Sequence, residues 1–262
     1  MHRRLFLARS GQTALALGVL PHLAACHREE TASQDRPFTA LRDRYFLKAL
    51  ELNPVTATYL GGDGYDPSLD HINGRLRDWR PEALEAERKF LQEIEAERIK
   101  IDPGTLSPEN RIDHAVLGAQ LAFLLRQSGE RRSHERAIDT YVAEPFRGVD
   151  WQIQGMAADK ADKADRADRA DRADGAGGVA NAGATWRGTE QEWGLVIERV
   201  RAIPAYLEAA RANLLAGKKS GNLPDHRMIE RDGVNGSKAN AEYFRKTLPQ
   251  SARDFLGARP FA

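Results

Sequence analysis

Residues 38–70 contain the pattern that most restricts what this chain can fold into. Apolar residues recur at helical spacing in the first half of the stretch, with charged residues between them. Asn53-Pro54 then ends one helix and begins another, because asparagine caps helices and proline lacks an N–H that a first turn would leave unbonded anyway. Three of the four residues 61–64 are glycines, which favour a turn. The stretch therefore predicts two helices followed by a sharp change of direction.

Other segments repeat the helical spacing, and none alternates apolar and polar residues as a half-buried strand does. Helices are predicted over residues 81–101, 107–127, 189–216 and 224–244, with a short helix over 131–139 and an irregular link over 141–151. The fold class is therefore all-α, an irregular multi-helix array that we expect to be part of a larger helical fold.

The predicted helix of residues 107–127 has apolar side chains on most of its circumference, among them Ile112, Val116, Leu121 and Phe123. A helix that is apolar all round is usually surrounded by protein. This helix is therefore predicted to be central and largely buried.

The charge balance argues against nucleic acid as a partner. Lys and Arg total 39 against 38 Asp and Glu, which gives a formal net charge of +1. A chain without a basic excess has no general field that attracts phosphate backbones.

The N-terminus resembles an export signal. Arg3 and Arg4 precede a short apolar run, and Leu-Ala-Ala-Cys at residues 23–26 resembles the lipobox of bacterial lipoproteins. The run is too short to span a bilayer. Residues 1–26 are therefore predicted to be a twin-arginine signal with Cys26 as the lipid attachment site. The protein is expected to be exported and anchored by this lipid to the cell envelope, on the periplasmic or outer-surface face.

Composition divides the rest of the chain into four parts. A polar tether is predicted at 27–37, helical regions at 38–157 and 186–262, and a low-complexity insertion with a linker at 158–185. Residues 158–175 repeat Ala-Asp-Lys/Arg with no apolar side chain larger than alanine, so nothing would hold them to a core. We interpret them as a tolerated surface insertion rather than a charged interaction arm.

Three segments, in this order, resemble the N-terminal half of the bacterial domain-of-unknown-function 885 family. They are residues 38–70, residues 112–125 and the segment RVRAIPAYLEAARANLLAG at 199–217. The resemblance extends from about residue 38 to 244, interrupted by the Ala-Asp-Lys/Arg run. It implies an exported helical protein related to zinc peptidases. A full-length member is expected to bind zinc in its C-terminal half and to act on a peptide substrate.

The zinc motif of that family, His-Glu followed shortly by Gly-His, is not found in this sequence. Its seven histidines are His2, His22, His27, His71, His114, His134 and His226. His134-Glu135 comes nearest, but Ile138 stands where a second ligand would be needed one turn later. His226 and Glu230 share a helical face but make only two ligands. Both pairs are interpreted as surface polar residues, and no catalytic, metal or cofactor-binding residue is predicted in this chain.

Weaker signals have structural explanations. The glycines of 61–64 lack the strand and the Gly-Lys-Ser/Thr of a phosphate loop. Asp63, Asp66 and Asp70 lack the spacing of a calcium loop, so turn chemistry explains them better. Asp113-His114 is interpreted as a buried polar pair with satisfied hydrogen bonds.

Two functions remain open from the sequence. In the first, this chain is the N-terminal helical portion of an exported, lipid-anchored protein that resembles zinc metallopeptidases. The portion alone would be inactive. The alternative is a small helical lipoprotein that acts as a binding or scaffold module. A contiguous exposed apolar surface would favour the first.

Overall fold

The structure, a computed structural model, describes residues 34–173 and 188–256 and, within them, all side chains except those of residues 157–173 and 254–256. These residues form helices and turns without strands, which confirms the all-α prediction. The α-helices are α1 (Asp35–Leu52), α2 (Pro54–Tyr59), α3 (Pro81–Arg98), α4 (Pro108–Ser128), α5 (Ile138–Ala173), α6 (Glu190–Ser220), α7 (His226–Met228), α8 (Gly236–Glu242) and α9 (Leu248–Leu256). Two π-helical segments, Ile229–Asn235 and Tyr243–Thr247, join the last three helices.

Several helix starts follow the capping signals in the sequence. The Ser107 hydroxyl accepts a hydrogen bond from the backbone N–H of Asn110 (3.3 Å), one residue before α4 begins at Pro108. Thr189 and Glu192 form a reciprocal capping box at the start of α6. These bonds satisfy N–H groups that a first helical turn leaves free, so each fixes where its helix begins.

The N-terminal helices α1, α3 and α4 pack around one apolar core. Its buried side chains include Phe38, Leu41, Ile94 and Leu121. Each helix presents one stripe of apolar residues to the other two, and this common stripe holds the three together.

The C-terminal part of the chain is organised around α5 and α6. They pack on each other through Val149, Trp193 and Val196, and α5 also contacts α2 and the first π segment. A second apolar cluster contains Trp79, Tyr141 and Tyr206. Gly217 lies inside α6 against the backbone of Glu135, where a Cβ would collide with it, and the helix ends at Gly221 in a left-handed conformation.

The prediction of an irregular link at 141–151 was wrong. The segment is helical, because α5 continues through Pro145 and Gly148. The close approach of α2 and α6 explains Gly148, since a Cβ there would press against Val55 of α2 and Arg199 of α6.

The prediction that α4 is largely buried was also wrong. Only His114, Leu117 and Leu121 are buried, whereas Ile112 is 66% exposed and Val116 and Phe123 are each 58% exposed. The helix therefore has one apolar face in the core and a second apolar face on the surface.

The predicted domain boundaries lie partly within the described residues. α1 begins at Asp35, so the last residues of the predicted tether are helical. The boundary expected after residue 157 falls inside α5, whose backbone remains helical to Ala173. The predicted signal, with Arg3, Arg4 and Cys26, lies outside the described residues. Among the helices that are described, none has the length and apolar character needed to cross a bilayer.

Candidate functional site

Arg199 of α6 is completely buried and connects four parts of the fold through five acceptors. Its Nε donates to the carbonyl of Arg75 (2.9 Å), Nη1 to the carbonyl of Gly148 (2.6 Å), and Nη2 to the carbonyl of Ile72 (3.0 Å). The remaining N–H groups donate to the Gln152 side-chain oxygen (3.3 Å) and to the Thr58 hydroxyl (2.7 Å). All five guanidinium N–H groups therefore have acceptors.

The charge of Arg199 has no carboxylate in direct contact, because all its acceptors are neutral oxygens. Burial lowers its pKa to about 10, while the more distant charges of Asp63 and Glu144 oppose this shift. The guanidinium thus holds α2, α5, α6 and the turn at 72–75 in a fixed arrangement.

A cavity of about 610 Å³ is lined by other residues of α2 and α5, and Arg199 does not line it. Its wall is built from α2, from the non-helical segment that carries Arg77 and Trp79, from α5, and from the first π segment with α8. Its volume lies in the range of small-molecule sites.

The base of the cavity contains a buried network of polar side chains. Tyr206 donates its hydroxyl hydrogen to Glu144 (2.8 Å), and Arg77 pairs with Glu87 (2.5 Å). The Arg77 guanidinium also lies over the Trp79 ring, 4.2 Å from its centroid.

Burial raises the pKa of Glu144, and the hydrogen bond from Tyr206 and the charge of Arg77 only partly oppose it. The Trp79 indole nitrogen is buried without an acceptor in hydrogen-bond geometry, although it is near enough to Glu144 to favour the ionised carboxylate. Glu144 is therefore a carboxyl group that lines a cavity and holds its proton more tightly than usual.

The rim of the cavity carries charges of both signs and aromatic rings. Arg147 and Asp139 are exposed at the α5 side, and Trp151 stands against Tyr59 with ring centroids 5.0 Å apart. The first π segment adds Arg231, which pairs with Asp232 (2.7 Å). Such π segments are rare and are often found at functional sites.

The sequence matches a family model described as bacterial protein of unknown function, DUF885, over residues 54–259. The chain belongs to the DUF885 family. The matched span contains Arg199, Glu144 and the whole lining of the cavity except Asn53. No curated protein and no solved structure matches the chain.

The zinc that the DUF885 resemblance implies does not fit the histidines that the structure describes. The ring of His114 is buried, with a nitrogen 3.1 Å from the carbonyl of Arg98 and the Arg98 guanidinium 3.4 Å away, so a cation already occupies its surroundings. His71 pairs only with Asp70 (3.4 Å), on an exposed turn. Across the described residues, no three His, Cys, Asp or Glu side chains are grouped closely enough to hold a metal.

The two predicted surface pairs have different surroundings. His226 and Glu230 are exposed, as predicted. Glu135, however, is only 7% exposed. It accepts hydrogen bonds from Ser220 (3.0 Å) and Asn222 (3.1 Å). Burial lowers the pKa of His134. The pair His134-Glu135 is therefore a connection between the turn before α5 and the end of α6, not a surface feature.

The acidic residues of the glycine-rich turn are used in turns, as the sequence analysis expected. Asp66 accepts from the backbone N–H of Ser68 (2.9 Å) and its hydroxyl (2.7 Å), and Asp63 accepts from the backbone N–H of Asn73 (2.9 Å). The predicted Asp113-His114 pair is split. His114 is buried, whereas Asp113 points to a half-exposed ion pair with Arg42 (2.9 Å).

Sequence reasoning missed both Arg199 and Glu144. Arg199 stands in a helix rich in charged residues, and its residue type does not distinguish it from the exposed Arg201 two positions later. Glu144 precedes a proline and was placed in the irregular link. The one available signal was spacing, since Val196, Arg199 and Tyr206 share the buried face of α6.

Proposed function

We propose that this chain is an envelope-anchored member of the DUF885 family that acts by binding a short peptide-like ligand in the cavity lined by Glu144, Arg147 and Trp151. The observation that carries the proposal is the cavity itself, with a carboxyl group of raised pKa at its base and charged and aromatic residues at its rim.

The lining favours a ligand with charges of both signs. An amino group would find Glu144 or Asp139, and a carboxylate would find Arg147, which is exposed at the rim. Trp151 offers an aromatic surface against which an apolar side chain can pack. A short peptide with free ends combines these groups in one molecule.

Binding would be pH-dependent through Glu144. Because burial raises the pKa of this carboxyl, an arriving ammonium group must favour its ionised form and displace the proton. Binding of a cationic end is therefore expected to strengthen as pH rises through the pKa of Glu144.

The chain supplies no zinc chemistry of its own in this proposal. The histidines of the described residues are separated, and His114 and His71 already have other partners. A peptide held here would be presented or positioned rather than cleaved.

Export and lipidation belong to the same proposal. The order of Arg3-Arg4, apolar run and Leu-Ala-Ala-Cys26 supports them, as does the polar segment that follows. A lipid on Cys26 would hold the helical body close to a membrane surface, where peptides enter or leave the envelope.

Equilibrium dialysis against a random tripeptide library, with mass spectrometry of both compartments, tests the binding. We expect a subset of tripeptides to be enriched on the protein side and this enrichment to be lost in Glu144→Gln and in Trp151→Ala. Ile99→Ala, at an exposed position away from the cavity, is the matched control and should behave like the parent chain. No enrichment, or enrichment unchanged in both cavity variants, would overturn the proposal.

A further inference from the structure

A second cavity, of about 530 Å³, lies between the turn that joins α4 to α5 and the end of α6. Its lining is almost entirely polar and includes Arg131, Arg132, Arg136, Glu130, Ser220 and Asn222. No residue lines both this cavity and the one that contains Glu144, so the two are separate sites. We call the second one the arginine cavity.

The turn that carries the three arginines is held in place by the end of α6. The Asn222 side chain donates to the carbonyls of Arg131 (3.0 Å) and Arg132 (3.1 Å) and to the buried carboxylate of Glu135 (3.1 Å). The Ser220 hydroxyl donates to the same carboxylate (3.0 Å). These bonds fix the backbone from which the arginine side chains extend, so the wall of the cavity is already formed without a ligand.

The ion pairs of this turn leave two arginines without a counter-charge. Both of its acidic residues already have partners, Glu130 with Arg126 (3.2 Å) and Glu135 with Arg132 (3.2 Å). Within residues 34–173 and 188–256, the side chains of Arg131 and Arg136 take part in no ion pair or hydrogen bond, and both are exposed. The arginine cavity therefore carries two guanidinium groups whose charge is not compensated by a carboxylate.

The ends of the neighbouring helices do not account for this charge. α4 ends at Ser128 and α6 at Ser220, and a helix end of this kind carries about half a negative charge. Backbone N–H groups beyond each helix already donate to its last carbonyls. α6 also has Lys218 and Lys219 in its last turn, and these complement its end. An excess of positive charge therefore remains at the cavity.

We propose that the arginine cavity binds a phosphate group, as a phosphomonoester or as inorganic phosphate. The planar fork of N–H groups on arginine matches the geometry of phosphate oxygens. A phosphomonoester carries about −1.5 to −2 charges near pH 7, which corresponds to the two unpaired guanidinium groups of Arg131 and Arg136. A single carboxylate would neutralise only one of them. This site goes beyond the proposed peptide binding and does not depend on it.

The phosphate can belong to a membrane lipid or to a soluble molecule. A lipid with a terminal phosphate, such as phosphatidic acid, would give the chain a second membrane contact besides the lipid proposed at Cys26. A soluble phosphomonoester would instead enter the cavity from solution. The chemistry of recognition is the same in both cases, so the first measurement concerns phosphate itself.

Isothermal titration calorimetry of the full chain with Cys26→Ser measures the binding of inorganic phosphate. The titration is done in about 0.15 M sodium chloride, which screens weak long-range attraction. We expect one phosphate per chain. Arg131→Gln and Arg136→Gln should each weaken binding about tenfold or more, because each removes charge-assisted hydrogen bonds.

Arg201→Gln, which removes an exposed arginine of α6 outside the cavity, is the matched control and should bind phosphate like the parent chain. Since Arg131 and Arg136 have no side-chain partner to lose, both cavity variants should also unfold at the same urea concentration as the parent. This comparison separates a lost binding site from a damaged fold.

Flotation with phosphatidylcholine vesicles, with and without phosphatidic acid, distinguishes the two sources. Flotation that requires phosphatidic acid and is lost when Arg131→Gln and Arg136→Gln are combined assigns the phosphate to a lipid. Phosphate binding by calorimetry without such flotation assigns it to a soluble ligand. Either result supports a phosphate site.

The proposal is overturned if the chain binds no phosphate at millimolar concentration, if binding is unchanged in either cavity variant, or if Arg201→Gln weakens it equally. Peptide binding is measured separately through Glu144→Gln and Trp151→Ala, which lie in the other cavity. A failure of one proposal is therefore distinguishable from a failure of the other.

Discussion

Replacing Arg199 with lysine is the change that most directly tests how this fold is held together. Arg199→Lys keeps a positive charge in the same buried place but offers three N–H donors from one atom instead of five in a planar fork. The five acceptors around it are fixed by the backbone and by Thr58 and Gln152, so they cannot all follow the shorter side chain.

The expected loss follows from the number of acceptors left unpaired. At most three of the five can bond to an ammonium group, so at least two buried or partly buried oxygens lose their partner. An unsatisfied buried group costs about 1–3 kcal/mol, which gives a loss of roughly 2–6 kcal/mol. Because the charge stays buried, no relief of its desolvation offsets this loss. This loss is a large fraction of the typical free energy of unfolding of about 5–15 kcal/mol.

Arg199→Met would be a less decisive test, because it has two opposing effects on stability. It removes the buried charge, whose desolvation costs several kcal/mol, while it leaves all five acceptors without a donor. The two effects have opposite signs, so its outcome would not isolate the hydrogen bonds.

Urea unfolding followed by far-UV circular dichroism measures the difference. The Arg199→Lys chain is expected to unfold at lower urea concentration and, by heat, at least about 4 °C earlier, at roughly 2–4 °C per kcal/mol for a chain of this size. Arg201→Lys, at an exposed position in the same helix, is the control and should be neutral. A loss below about 0.5 kcal/mol for Arg199→Lys, typical of surface changes, would refute the central role of this residue.

Further predictions concern pH, the repeat and export. Because burial raises the pKa of Glu144, the folded chain keeps this proton where the unfolded chain has lost it, so its contribution to stability falls as pH rises through the folded pKa. Glu144→Gln should therefore be more stable than the parent at pH 8 and lose this advantage near pH 4, measured by thermal unfolding. Deleting residues 158–175 should move the thermal midpoint by only a few degrees, about 1 kcal/mol or less; a loss of several kcal/mol would show that the segment is packed. Cys26→Ser should abolish lipid labelling and release the protein from membranes, and unchanged membrane association would contradict the lipobox. Replacing Arg3 and Arg4 with lysines should block export, and unaffected export would favour the general secretory route.

Local signals predicted the helix starts well. Ser107 and Thr189 cap their helices through bonds within four residues, so their effect does not depend on the rest of the fold. The same holds for Pro54, which begins α2 as expected. These features need only the neighbouring sequence, and the sequence contains them.

Features set by distant contacts were not predicted. Residues 141–151, which contain Glu144-Pro145, were predicted to be an irregular link, yet α5 packs against α2 and α6 and the segment is helical. Apolar residues around most of α4 predicted a largely buried helix, but the fold covers only one of its apolar faces. Arg199 and the cavity depend on residues more than 40 positions apart, so their role appears only when the chain is folded.

Metal analysis tests the claim that this chain binds rather than cleaves. The purified 262-residue chain, dialysed against zinc-free buffer, is measured for bound zinc and then incubated with a peptide library. The account predicts less than a stoichiometric amount of zinc and no cleavage, because a catalytic site needs three protein ligands and the described histidines lie apart. One zinc per chain, with peptide cleavage lost in His134→Ala or His226→Ala, would contradict it.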